Sequence, residues 1–183
     1  MIGQLMSLRR YARALSRDES QADDLVHDAL VRAYERRSTF HPGGSLRTWL
    51  LAILHNTFVD GRRRQVAELR RDTDAARQTE TASPAGQESS VRLQQIQGAF
   101  MALPEEQRAV LHLVTIEGLA YQQAADTLAI PIGTLMSRLG RARAALRAFE
   151  ARRGLEGLPA HPVAPQLPEP SRPNLRVVGG HDD

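Results

Sequence analysis

The chain contains no cysteine and no lysine: all 24 of its basic side chains are arginine. Without cysteine there is no disulfide framework, no thiolate nucleophile and no cysteine-ligated zinc site. Without lysine there is no Schiff-base catalysis and no phosphate loop of the G-x-x-x-x-G-K-[ST] type. Coding bias in a GC-rich genome accounts for arginine in place of lysine better than a functional demand does. Aromatic residues make up only 4% of the 183 positions, so a core has to be built from Leu, Ala, Ile and Val. No stretch approaches the roughly 18 apolar residues of a membrane span. Residues 1–10 lack the apolar run of a signal peptide. The expectation is a cytoplasmic protein that does not engage a membrane.

The net charge of +3 says little; its distribution says more. Residues 1–64 carry eleven arginines against seven acids, and residues 95–153 seven against five. The segments 65–94 and 154–183 are mildly acidic, with four against five and two against four. Residues 132–153 hold six arginines against the single acid Glu150. Such a basic stretch is the electrostatic footprint of a polyanion partner.

Hydrophobic periodicity reads as helix throughout the two basic blocks. Leu5, Leu8, Tyr11, Ala12 and Leu15 form one stripe. Ser20 and Asp23 suggest a capping box for a second helix, whose apolar side is Leu25, Ala29, Ala33 and Tyr34. Asp24, Asp28, Arg32 and Glu35 lie opposite. Residues 39–44 form a loop by composition. Ser45 caps a third helix, with Leu46, Trp49, Leu50, Ile53 and Phe58 buried and Arg62, Arg63 and Arg64 at its end. Residues 65–91 lose periodicity and read as a linker, partly helical near 66–71. Beyond them Leu93, Ile96, Phe100 and Leu103 share a face. Pro104-Glu105-Glu106 starts a helix with proline first, and Gly118 stops it. After residue 154 the chain is a proline-rich tail, with six of its ten prolines between 159 and 173; no packed structure is expected there.

The strongest local signal is residues 119–143, L-A-Y-Q-Q-A-A-D-T-L-A-I-P-I-G-T-L-M-S-R-L-G-R-A-R. A short helix, a tight turn and a second helix with a basic exposed face describe a helix-turn-helix. Ala124 and Ala125 are small enough for a close crossing, which Leu128, Leu135 and Leu139 seal. Thr134, Ser137, Arg138 and Arg141 are left on the outer face. Hydroxyls reach phosphates, and arginine reaches phosphate or the O6/N7 edge of guanine.

I-P-I-G-T-L-M-S-R-L-G-R-A-R, preceded by A-L-P-E-E-Q-R-A-V-L, resembles the promoter −35-binding region of the bacterial extracytoplasmic-function (ECF) sigma factors. D-D-L-V-H-D-A-L-V-R-A-Y at 23–34 resembles that family's core-polymerase-binding helix. S-L-R-T-W-L-L-A-I-L-H-N-T-F-V-D-G-R-R-R at 45–64 resembles its −10-melting helix. The resemblance covers residues 5–150 in family order. The wording L-R-T-W-L-L-A-I-L-H-N-T-F is also similar to the general-stress-response subgroup.

The resemblance implies roles position by position. Asp24, His27, Asp28 and Arg32 would dock on core RNA polymerase, through the clamp helices of its largest subunit; its flap would be a second contact. His27 stands where the family usually has glutamine. Asn56 would face a flipped-out base of the −10 element, with Phe40, His41, Gly43, Gly44 and Ser45 completing the pocket and His55, Arg62 and Arg63 beside it. An amide both donates to and accepts from a base edge. Thr134, Ser137, Arg138, Arg141 and Arg143 would contact the −35 element. Met136 replaces a lysine common in the family, removing one phosphate contact. Trp49 reads as core rather than as a stacking platform.

The fold expected is all-α, with two small helical domains: residues 1–64, which would dock on polymerase and recognise and melt the −10 element, and residues 92–153, which would read the −35 element. A flexible linker, 65–91, joins them and a disordered tail, 154–183, follows. The partners implied are core RNA polymerase, promoter DNA and an anti-sigma factor. An enzyme is not expected. Its six histidines never fall at metal-ligand spacing, no G-x-S-x-G is present, and no cofactor or metal is called for. The alternative is a helix-turn-helix regulator that binds DNA alone; it would need neither the acidic docking helix nor the 45–64 helix.

Overall fold

Helix α1 (Ile2–Ser16) ends because Arg17 adopts a left-handed backbone at φ 64°. The next residue, Asp18, is extended, and its carboxylate accepts the Gln21 N–H at 2.8 Å, capping helix α2 (Glu19–Glu35). The cap is therefore Asp18 and not the expected Ser20, which already lies inside the helix. A single 3-10 turn (Arg37–Thr39) leads into the loop before helix α3 (Leu46–Arg71). Ser45 caps α3 as expected, its hydroxyl accepting the Thr48 N–H at 3.3 Å.

The computed structural model describes residues 2–71 and 88–152. The middle of the expected linker and the proline-rich tail lie outside the described residues. Within them every regular element is helical, as expected. None of these helices is long and apolar enough to cross a membrane.

Helix α2 packs on α1 and α3 through Ala22, Val26, Ala29 and Ala33. These short side chains let the three backbones approach closely. Tyr34, expected on this stripe, is instead 71% exposed. The Arg37 guanidinium lies 4.8 Å over its ring, a cation–π contact that needs no burial. Helix α3 runs past the expected end at Arg64 to Arg71. Residues 65–71, Q-V-A-E-L-R-R, contain neither glycine nor proline and propagate the helix readily.

The second half comprises α4 (Glu88–Ala102), α5 (Glu105–Leu111), a π turn (His112–Ile116), α6 (Tyr121–Leu128) and α7 (Ile132–Arg152). Pro104 is the residue that caps α5 rather than its first helical residue. Glu105 and Glu106 occupy the first turn, where the helix dipole favours acids. Gly118 reverses the chain at φ 65°, a conformation that costs glycine nothing. The two halves do not stand apart. α1 packs against α5 and the π turn, and α3 against α6. A single core joins Leu8, Tyr11, Leu51 and Leu54 to Val110, Leu113, Ala124 and Leu135. Each such fully buried large side chain contributes about 1.5–3 kcal/mol.

Candidate nucleic-acid interface

Helices α6 and α7 form the helix-turn-helix. Ala124 and Ala125 are completely buried at their crossing, with Leu128, Leu135 and Leu139 around them. The turn works because Ala129 takes a left-handed conformation at φ 52°, letting the Ile130 N–H reach the Ala125 carbonyl at 3.1 Å. The Ala129 N–H also donates to the Asp126 carbonyl at 3.1 Å, so the helix ends in a Schellman motif.

Burial of Leu135, Leu139 and Ala142 fixes the rotation of α7. Ser137 and Arg141 are exposed and Thr134 half-buried on the far face. Arg138 leans toward the rest of the protein, 25% exposed, and its Nη2 lies 2.7 Å from Glu106 Oε2. Arg143 is exposed, but at 100° per residue it sits roughly 180° around the helix from Thr134. The five side chains expected at one surface therefore divide into a face of four and an outlier. Met136 is 46% exposed, so the position where the family uses lysine is indeed a surface one.

The loop before α3 is folded by its own backbone. The Gly44 N–H donates to the His41 carbonyl at 2.8 Å. A Cβ on Gly44 would meet that carbonyl at 3.2 Å, so glycine fits the turn best. Phe40 lies 5.4 Å, ring to ring, from Trp49. Trp49 is half-buried against the core, as expected. Phe40, His41, Gly44 and Ser45 line a pocket of about 340 Å³ that Asp126 and Thr127 of α6 close from the other side. Gly43 is exposed in the same loop.

Asn56 is exposed. It does not share the loop pocket. It lines a separate cleft of about 650 Å³ together with His55 and Arg63 of α3 and Glu106, Ile130 and Arg138 of the second half. His55 is fixed by the Tyr11 hydroxyl, 3.0 Å from its Nδ1. Burial, then the Arg138 charge, lowers its pKa to about 4. Arg62 is 3.4 Å from Glu105.

On α2, Asp24, His27 and Asp28 are exposed. Arg32 departs from them. Its side chain is 26% exposed and its Nη1 binds Asp60 Oδ2 of α3 at 3.1 Å. Arg32 thus ties two helices together. Among the described residues no group of His, Cys, Asp and Glu is arranged to hold a metal ion.

Two buried charges escaped the sequence reading. The Arg108 side chain is 1% exposed. It donates to the carbonyls of Ala14 at 2.7 Å and Leu15 at 3.0 Å, at the end of α1, and to Leu103 at 2.8 Å. Burial, then the nearby Arg17 charge, lowers its pKa. Glu117 is buried too. Its carboxylate accepts from Ser7 and Arg10 of α1, from Arg47 of α3 and from His112. Burial alone would raise its pKa, but the bonds from His112, Ser7, Arg47 and Arg10 outweigh it and hold the carboxyl far below its usual range. The only sequence signal for either was a charge at an apolar register, Arg108 beside Ala109-Val110-Leu111 and Glu117 just before Gly118.

Residues 1–55 match the family described as the Sigma2 domain of PhyR, and residues 93–146 match Sigma-70, region 4. The chain is 36% identical over 143 residues to the ECF RNA polymerase sigma factor EcfG of Rhodopseudomonas palustris, covering 78% of each. It is 33% identical over 146 residues to the ECF sigma factor SigM of Mycobacterium tuberculosis, covering 76% of this chain and 69% of the relative. Among solved structures, the sigma factor RpoE of Bartonella quintana, crystallised with the anti-sigma factor NepR, superposes with a TM-score of 0.71 at 32% identity. That match covers 82% of this chain and 93% of RpoE. CnrH, solved with the cytosolic domain of CnrY, gives 0.55 at 28% identity over 80% and 82%. With a three-helix unit and a helix-turn-helix unit in this order, and with relatives aligned along both, the chain belongs to the ECF family of RNA polymerase sigma factors.

Proposed function

We propose that this sigma factor binds core RNA polymerase through Asp24, His27 and Asp28 and reads promoter DNA with two separate surfaces. Thr134, Ser137, Arg138 and Arg141 take the −35 element. Asn56, His55, Arg62, Arg63 and the loop of Phe40, His41, Gly43, Gly44 and Ser45 take the −10 element. Arg143 contributes at most to the flanking backbone and Arg32 to the shape of the docking unit. The domain roles follow: residues 1–64, now with α3 extending to Arg71, for docking and −10 melting, and 92–153 for the −35 element. The protein does no covalent chemistry; polymerase supplies that.

The observation that carries this reading is that the exposed Ser137–Arg141 face of α7, with Thr134 half-buried beside it, is joined to a three-helix unit whose exposed features are acids on α2 and an amide on α3. A regulator acting on duplex DNA alone has no use for the second unit. Basic and hydroxyl side chains suit phosphate and guanine edges; exposed carboxylates suit a basic protein partner and orient its approach. RpoE was solved with the anti-sigma factor NepR and CnrH with the cytosolic domain of CnrY, and this chain is likewise held by an anti-sigma factor.

The test is assembly of a ternary complex. The protein, core polymerase and a labelled promoter duplex are mixed, and permanganate reactivity of −10 thymines is read. Reactive thymines only when protein and core are both present support the reading. Tight duplex binding by the protein alone, with no effect of core polymerase, contradicts it.

A further inference from the structure

The first turns of α7 expose two large apolar side chains. Met136 is 46% exposed, and Ile132, one turn before it, is 37% exposed. A single exposed apolar residue needs no explanation. A neighbouring pair at i, i+4 on the helix assigned to DNA is another matter. The core side of the helix is already filled by Leu135, Leu139 and Ala142. Met136 therefore stands at the border of the solvent face that carries Ser137 and Arg141.

Its neighbours on that face have no side chain. At 100° per residue, Met136, Gly140, Gly133, Ser137 and Arg141 follow one another around about 140° of the helix. Both glycines are exposed. Neither has the positive φ that would call for glycine. A Cβ on either would meet nothing within 4 Å among the described residues. Glycine inside a helix is less stable than alanine, and no packing within the protein offsets this at Gly140. What glycine does offer is close approach of another surface to the backbone. The clearance serves something outside the chain.

A thioether selects among bases in one way. It has no N–H or O–H to donate, is only a weak acceptor, and cannot neutralise a phosphate. Of the groups that base pairs present in the major groove, the thymine C5-methyl is the apolar one. Methionine, flexible and polarisable, fits itself to such a group. Depth agrees with rotation. The N-terminal residues of a recognition helix meet base edges, and Met136 is the fifth residue of α7. Arg143 lies at nearly the same rotation but about 10 Å further along the axis, at the level of the flanking backbone.

We propose that Met136 is a specificity residue of the −35 surface, packing on the C5-methyl of a thymine while Gly133 and Gly140 let the helix backbone come close to the base edges. The proposal rests on the assignment of α7 to the −35 element. A lysine at this place binds phosphate whatever the sequence. Met136 gives up that contact and discriminates thymine from cytosine instead.

The test uses holoenzyme reconstituted from the full chain and core polymerase, with promoters enriched from a pool randomised across the −35 element. Each thymine of the enriched element, on either strand, is then replaced by deoxyuridine, which removes the C5-methyl alone. One replacement should weaken wild-type binding roughly three- to fivefold, the worth of one buried methyl. In Met136→Lys the same replacement should have no measurable effect, and the salt dependence of binding should steepen by about 1 in log–log slope. Gly140→Leu should keep or exceed the wild-type melting temperature while losing preference for the enriched element over a scrambled one. Deoxyuridine silent at every position in the wild type, an equal cost in Met136→Lys, or an enriched element without thymine overturns the proposal. A Gly140→Leu variant that binds as the wild type does overturns the close approach. Failure of the −35 assignment looks different: no sequence is then enriched at −35, and Arg141→Ala leaves holoenzyme binding unchanged.

Discussion

Arg138 Nη2 sits 2.7 Å from Glu106 Oε2, so this α7 arginine is already paired within its own unit. The pair joins the first turn of α5 to the recognition helix. It points Arg138 toward the cleft rather than straight out from the helix.

Replacing Arg138 by alanine should weaken −35 duplex binding by about 1–3 kcal/mol, the worth of one good base contact. Docking on core polymerase should not change. Fluorescence anisotropy with labelled duplex and labelled core polymerase reads the two effects separately. Equal losses in both would mean the variant has lost its fold.

Arg143 makes a matched control. It is as exposed and as charged as Arg141 but lies roughly half a turn around α7 from Thr134. Arg141→Ala should weaken −35 binding and reduce its salt slope by about 1, as loss of one phosphate contact does. Arg143→Ala should change affinity less than about twofold, a margin of order 0.4 kcal/mol. Salt titrations of both variants decide it; equal effects would place the DNA on another face.

Arg108 has a structural role. Its guanidinium satisfies the Ala14, Leu15 and Leu103 carbonyls, the first two across the unit boundary. Arg108→Met keeps much of the volume but strands those acceptors, each costing about 1–3 kcal/mol if it stays dry. Thermal unfolding should drop by roughly 5–10 °C for a chain of this size. A melting point within a degree of wild type would mean water reaches the site.

His55 supplies a pH dependence whose sign is fixed. Its pKa falls from 6.5 to about 4 in the folded protein, through burial and then the Arg138 charge, so it stays neutral there. The unfolded chain binds its proton first as pH drops. The stabilisation is therefore fully present above pH 6.5 and is lost between 6.5 and 4 as pH falls. Denaturant titrations at pH 7 and pH 5 should show a loss that His55→Gln reduces. An identical loss in that variant would assign the effect to other groups.

Whatever periodicity governs is legible in the sequence. Ala124, Ala125, Leu135 and Leu139 recur at helical spacing, and burial follows from that spacing. The rotation of α7 follows too, and with it the placement of Arg143 roughly half a turn around the helix from Thr134. Tyr34 was misplaced because an apolar register at a helix end says nothing about whether a neighbour covers it; Arg37 stacks on it instead. Arg32, placed by sequence among the docking residues, binds Asp60, which lies 28 residues away and beyond any local pattern. Glu117 and Arg108 were hidden for the same reason. Their partners lie on α1 and α3, and two units read as separated by a linker offer no hint that buried charges pass between them.

The central claim is that this chain gives core RNA polymerase a promoter it would not otherwise use. Run-off transcription on a template carrying −35 and −10 elements, selected from genomic fragments retained by the holoenzyme, tests it in one step. Added to purified core polymerase, the wild-type protein should produce a discrete start, and Asn56→Ala should abolish it while leaving −35 duplex binding intact. No promoter-dependent transcript from the wild type, alongside tight duplex binding by the protein alone, would contradict the account and leave a DNA-binding regulator in its place.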